Sequence, residues 1–279
     1  MAFLLKPLTT AELLDKIFVL YRTHFRLMAG IMVWVAIWEI PCSILIRAPR
    51  ILGIHSTEIF GALGLFGRYQ ITGALMAFFI VIGSAAVVFA ASQLYREQLV
   101  TILGSYRAVW KQVFWPACLC AILAYLCFRL FSDPVLIAFS LLARVLVRTC
   151  FILFLPVAIL EKPGFISTIG RTLQLARKRF GQLAIMILLA LSVNWGLLQL
   201  SQVVSRTAIY ALPFSRNFTW LWFGLTDAAA GLLSAPLLPI GLVLFYYNAR
   251  VEKEGLDLHL MMDAVAAAQD PASESTAAG

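Results

Sequence analysis

The chain has 279 residues, 62% of them hydrophobic and 13% charged, with a formal net charge of +8 and a mean hydropathy of +0.90. Water-soluble domains are nearer half apolar and a quarter charged, so this chain has too little polar surface to clothe a globule in water and reads as an integral membrane protein. The positive balance does not point to nucleic acid: the cations gather at the ends of apolar runs, where a bilayer draws them, not along one polar face.

In chain order, the opening "MAFLLKPLTT" holds an apolar run of four residues, short of a signal-peptide core, so the first long span is expected to direct insertion. Thr9 or Thr10 can cap a helix that follows. Leu13, Leu14, Ile17, Phe18 and Tyr21 make its apolar face, and Glu12, Asp15, Lys16 and Arg22 sit largely opposite. A bilayer core of about 30 Å needs about 20 helical residues, and six segments qualify: 27–46, 71–94, 114–131, 134–160, 182–203 and 219–247. Two further amphipathic stretches precede the third and fifth spans. One runs from about Ser105 to Phe114. The other starts after "EKPG", with Ile166, Ile169, Leu173 and Phe180 on one side and Arg171, Gln174 and Lys178 on another. Phe25, Phe114 and Phe180 each follow a cation by three residues (Arg22, Lys111, Arg177), so the chain reads as three units of interfacial helix plus transmembrane hairpin.

Loop charge sets the expected orientation. Of the 22 Lys and Arg, fourteen fall on one side of the six spans, six on the other, and Arg144 and Arg148 within the fourth span. The richer side is cytoplasmic by the positive-inside rule, which puts both termini inside. The expected architecture is therefore all-α: a polytopic bundle of six transmembrane helices with amphipathic cytoplasmic interfacial helices. Residues 1–263 form one membrane domain, and 264–279 form a disordered tail with little to bury. Arg22, Lys111, Arg171, Arg177, Lys178, Arg179 and Phe180 are the candidate lipid-headgroup and interface residues, since cations near an anionic leaflet are favoured.

Four charges fall where lipid should be. Glu39 lies about 18 Å into the first span at 1.5 Å per residue, and Arg148 lies at the same depth in the fourth, with Arg144 one turn further out. Isolated charges at that depth are costly, so pairing of Glu39 with Arg148, and of Asp227 with Arg144, is expected. Such a set is structural glue or an ion path. Prolines 41, 156, 236 and 239 should break or kink three spans. The five cysteines lack paired spacing and read as small buried hydrophobes.

The sequence carries no phosphate-binding G-x-x-x-x-G-K-[ST] run, no H-E-x-x-H and no G-x-S-x-G, and its three histidines are scattered. No enzyme activity, metal site or cofactor is expected. The expected function is a non-enzymatic membrane module that organises lipid, with anionic headgroups favoured, or a protein partner at the cytoplasmic leaflet. The alternative is a small secondary transporter with an intramembrane Glu/Arg site.

Two stretches, "FLPVAILEKPGFISTIGRTLQLARKRFGQLAIMILL" (154–189) and "FYYNARVEKEGLDLHLMM" (245–262), resemble the bacterial membrane-domain family named after glycerophosphoryl diester phosphodiesterase. The resemblance rests on Pro156, Glu161, Arg171, Arg177, Tyr246, Tyr247, Arg250, Glu254, Gly255, Asp257 and Leu258. It implies a six-helix protein of the bacterial inner membrane. The sequence departs from that pattern at Asn248, where family members often carry aspartate, so an ion pair there is not expected. The phosphodiesterase barrel itself is absent from the sequence, so the activity is not implied.

Overall fold

The computed structural model describes residues 8–51, 61–96, 98–112, 153–161, 165–211 and 216–254. Among them the chain is helical throughout: α1 (Thr10–Thr23), α2 (Phe25–Ile51), α3 (Gly61–Tyr95), α4 (Ile102–Gln112), α5 (153–160), α6 (Phe165–Lys178), α7 (Phe180–Ala211), α8 (Arg216–Ser234) and α9 (Leu237–Glu254). Four stretches are long and apolar enough to cross a membrane: Phe25–Cys42, Leu75–Tyr95, Phe180–Ile209 and Leu221–Glu252. They coincide with the first, second, fifth and sixth expected spans. The third expected span and most of the fourth lie outside the described residues, as do Arg144, Arg148, Phe114 and the tail.

The helix starts follow local chemistry. Thr9 caps α1: its hydroxyl accepts the Glu12 amide at 3.4 Å while Glu12 Oε2 accepts the Thr9 amide at 2.8 Å, a reciprocal box. The chain bends at His24 and again at Arg179, so α2 and α7 begin at Phe25 and Phe180. The expected final span, 219–247, is instead two helices meeting at Ala235–Pro236. Proline has no amide hydrogen, so Pro236 and Pro239 each remove a rung of the helical ladder. Tyr21 donates to the Leu233 carbonyl at 2.7 Å, which satisfies an acceptor at the end of α8 that water could not reach in lipid.

The core is organised around α9, in which every residue from 239 to 249 is buried. A helix apolar all round belongs inside a bundle, and α1, α3, α6 and α7 pack against it. α1 runs antiparallel along it: Leu8 meets Asn248, Ile17 meets Gly241 and Tyr21 meets Leu233. Leu13 and Ile17 are buried there, so α1 is a member of the bundle as well as an amphipathic helix. Small residues allow close approach, the usual device where hydrophobicity alone cannot drive helices together. A Cβ on Gly241 would stand 2.8 Å from Met186 Sδ and 3.2 Å from Ile17 Cδ1. Ala85, Ala86, Ala90 and Ala91 line the buried face of α3. α2 and α3 pack closely, with Trp38 stacked on Phe79 at 4.6 Å.

α6 is turned opposite to α1. Its buried residues are Thr168, Thr172, Leu175 and Ala176, while Ile169 and Leu173 are exposed. Of the expected apolar side of Ile166, Ile169, Leu173 and Phe180, the last three are exposed and face away from the protein, and the side chain of Ile166 lies outside the described residues. The spacing defines which residues share a face; it does not say whether protein or lipid covers it.

Candidate functional site

Successive residues in the last turns of α9 reach out to different elements. Tyr246, 1% exposed, donates to Glu161 Oε1 at 2.8 Å and accepts from Arg250 Nη1 at 3.1 Å. Glu161, just after α5, is also paired with Arg171 Nε of α6 at 3.2 Å and lies 3.9 Å from Arg250 Nε. Four residues singled out by the sequence resemblance thus converge: a carboxylate between two guanidinium groups, with a tyrosine hydroxyl bridging. Pro156 is buried one helical turn before this cluster. Tyr247 points elsewhere and stacks on Tyr95 of α3 at 4.7 Å; its hydroxyl is buried without a hydrogen-bond partner among the described residues.

Asn248 does something the sequence did not announce. Its carboxamide accepts the Leu8 amide at 2.7 Å and donates to the Leu8 carbonyl at 3.2 Å. Such a two-way pairing needs one donor and one acceptor on the same side chain, which an ionised aspartate lacks. Arg179 closes the same corner. Its Nη1 donates to the Leu8 carbonyl at 3.3 Å and to Gln182 Oε1 at 2.9 Å, and its Nε pairs with Glu252. Arg179 and Arg171, both expected at the lipid interface, are therefore engaged in internal pairs. Arg22 and Lys111 are exposed near the ends of α1 and α4, and Arg177 and Phe180 are exposed around the bend at Arg179. Lys178 and Glu254 are the last residues of α6 and α9; Gly255 and Asp257 lie outside the described residues.

A second polar arrangement crosses the candidate spans. Asn194 Nδ2 donates to Ser234 Oγ at 2.7 Å, Ser201 Oγ and Gln202 Nε2 donate to Asp227 Oδ1 at 2.7 and 2.8 Å, and the Ser205 and Thr226 hydroxyls meet at 2.5 Å. Together they form a seam between α7 and α8. Glu39 of α2 presses on the same helix: a Cβ on Gly231 would be 3.1 Å from Glu39 Oε2. Gly231 is one turn from Asp227 on α8. The arginines expected to meet these two acids lie outside the described residues. The seam had a signal in the sequence: Asn194, Ser201 and Ser205 recur at seven and four residues, one face of a helix.

Two tyrosines of the short helices bond the backbone of longer ones. Besides Tyr21, Tyr106 of α4 donates to the Ile31 carbonyl of α2 at 2.6 Å. Burial pushes both phenols above their ordinary value, so they remain donors. Among the described residues no group of His, Cys, Asp and Glu could hold a metal ion. In comparisons with known proteins, no family model, curated protein or solved structure matches the chain.

Proposed function

We propose that the chain is a six-span, non-enzymatic integral membrane module that gathers anionic lipid at the cytoplasmic leaflet of a bacterial inner membrane, with both termini inside. It is read as kin to the membrane part of the glycerophosphoryl diester phosphodiesterase family. The observation that carries the lipid reading is the orientation of α6. Its outer face carries Ile169 and Leu173 beside Ser167, Gln174 and Arg177, while Thr168, Thr172, Leu175 and Ala176 face the bundle. An outer face that mixes apolar and cationic residues suits a helix lying at the boundary of headgroups and acyl chains. The test is reconstitution of the intact protein into bilayers of phosphatidylcholine with a minority of phosphatidylglycerol, followed by gentle extraction and mass spectrometry of the lipids retained. Retained lipid should be enriched in phosphatidylglycerol relative to the bilayer, and retention in the bilayer's own ratio overturns the reading.

A second reading, ion or proton transport, is supported by Glu39 of α2 set against Gly231, one turn from Asp227 on the polar seam of α7 and α8. Proteoliposomes containing a trapped pH dye and an imposed potential would read it. Proton entry exceeding that of Glu39→Gln supports this alternative, and equal rates exclude proton transport through Glu39.

A further inference from the structure

α1, α4 and α6–α7 share an outward pattern that becomes visible once exposure is known. Phe18, Arg22 and Phe25 lie at relative positions 0, +4 and +7; so do Leu103, Arg107 and Trp110, and so do Leu173, Arg177 and Phe180. All nine residues are exposed, Leu103 and Trp110 by 78% and 62%. In α4 all three positions fall on one helix face at 3.6 residues per turn; in the other two the apolar residue and the arginine share a face one turn apart, and the phenylalanine opens the next helix just past the bend. The middle member sits one turn earlier than the sequence alignment through Lys111 and Phe114 had it.

The three arginines also stand apart from the rest. Arg171, Arg179 and Arg250 are tied to Glu161 and Glu252. Arg22, Arg107 and Arg177 have no hydrogen bond or ion pair among the described residues. A second cation follows each within four positions (Arg26, Lys111, Lys178), and the sequence has no Asp or Glu at 16–38, 98–132 or 162–226. Phe25 and Phe180 are the first residues of candidate spans, so in two of the three cases the triad is continuous with the apolar surface that lipid tails would cover.

We infer that the three triads are equivalent contact sites for anionic glycerophospholipid, with the arginine on the phosphate and the flanking apolar and aromatic side chains against the glycerol and upper acyl chain. Guanidinium matches phosphate in geometry and charge. The neighbouring cation and the absence of nearby acids in sequence favour a headgroup with net negative charge over a zwitterionic one. Stem and aromatic rings keep one end in the apolar layer and the other in the headgroups. This inference rests on the lipid-gathering reading above and assigns it to specific residues.

The test uses the full chain in bilayers of phosphatidylcholine and phosphatidylglycerol and counts each retained lipid by native mass spectrometry. The variant Arg22→Gln/Arg107→Gln/Arg177→Gln should melt like the wild type and lose most of its phosphatidylglycerol enrichment, at about fivefold weaker retention for each arginine removed. Arg206→Gln, an exposed arginine on the far part of α7, should retain lipid as the wild type does. Wild-type enrichment that survives the triple substitution, or that falls equally in Arg206→Gln, overturns the assignment. Absence of enrichment in the wild type overturns the lipid reading itself. Should the triple variant fail to fold, the single substitutions read the same ratio one site at a time.

Discussion

At the scale of single residues, the end of α9 concentrates polar chemistry that the bundle cannot afford to leave unpaired. Tyr246→Phe removes the donor to Glu161 and the acceptor of Arg250. It should lower stability by about 2 kcal/mol, the range for hydrogen bonds to charged groups, read as thermal or denaturant unfolding in lipid-supplemented micelles. Glu161→Gln should cost more, about 3–5 kcal/mol, because two partly buried guanidinium groups lose their shared counter-charge. Asn248→Leu keeps the volume but strands the Leu8 amide and leaves the Leu8 carbonyl with Arg179 alone. A loss of about 1–3 kcal/mol should appear with faster hydrogen exchange in the first turn of α1. Glu161, Arg171 and Arg250 could be named from sequence as residues that carry the family resemblance, and Arg171 also as a cation at the expected interface. The role of Asn248 could not: the hydrogen bonds join residues 240 apart in sequence, and neither residue carries a charge that betrays a partner.

At the scale of elements, boundaries were more legible than contacts. The Thr9–Glu12 box, the starts at Phe25 and Phe180, and the breaking power of Pro236 are local effects of cap, bend and missing amide, and local sequence specifies them. The docking of α1 along α9 is set by shape. Gly241 leaves room for Ile17 and Met186, and glycine in a greasy helix gives no hint of which neighbour it admits. The outward turn of α6 was hidden for a related reason, since in lipid an apolar stripe has two acceptable partners. Gly83 offers a check on close packing between α2 and α3. A methyl group there would overlap Val35 Cγ2 and stand 3.3 Å from Met32 Sδ. Val35 is stiff at its first side-chain torsion, so Gly83→Ala should destabilise by about 1–3 kcal/mol, the usual range for overpacking. Adding Val35→Ala should restore much of the loss, and a double-mutant cycle on unfolding midpoints would measure the recovery.

At the scale of the whole molecule, the arginines divide into an inner set that joins helices and an outer set that meets the surroundings, a division charge counting alone could not make. Burial separates them, and burial is a property of the assembled bundle. Orientation follows the same charges. Under the proposed orientation, single cysteines placed at Gln174, an exposed polar position of α6, and at the tail should react with a membrane-impermeant thiol reagent only after the membrane is opened, in a background where Cys42 and the other four cysteines are replaced. Labelling of intact cells at either position would reverse the expected topology.

The central place of α9 has a consequence for how the protein is made. During synthesis, α1 and α3 leave the ribosome well before the helix they both enclose, so Leu13, Ile17 and the alanine face of α3 must wait in the translocon or in lipid without their final neighbour. Assembly is therefore a closing step that only late synthesis can trigger, and a chain stopped after Ser234 should be a target for membrane proteases however well its earlier segments have inserted.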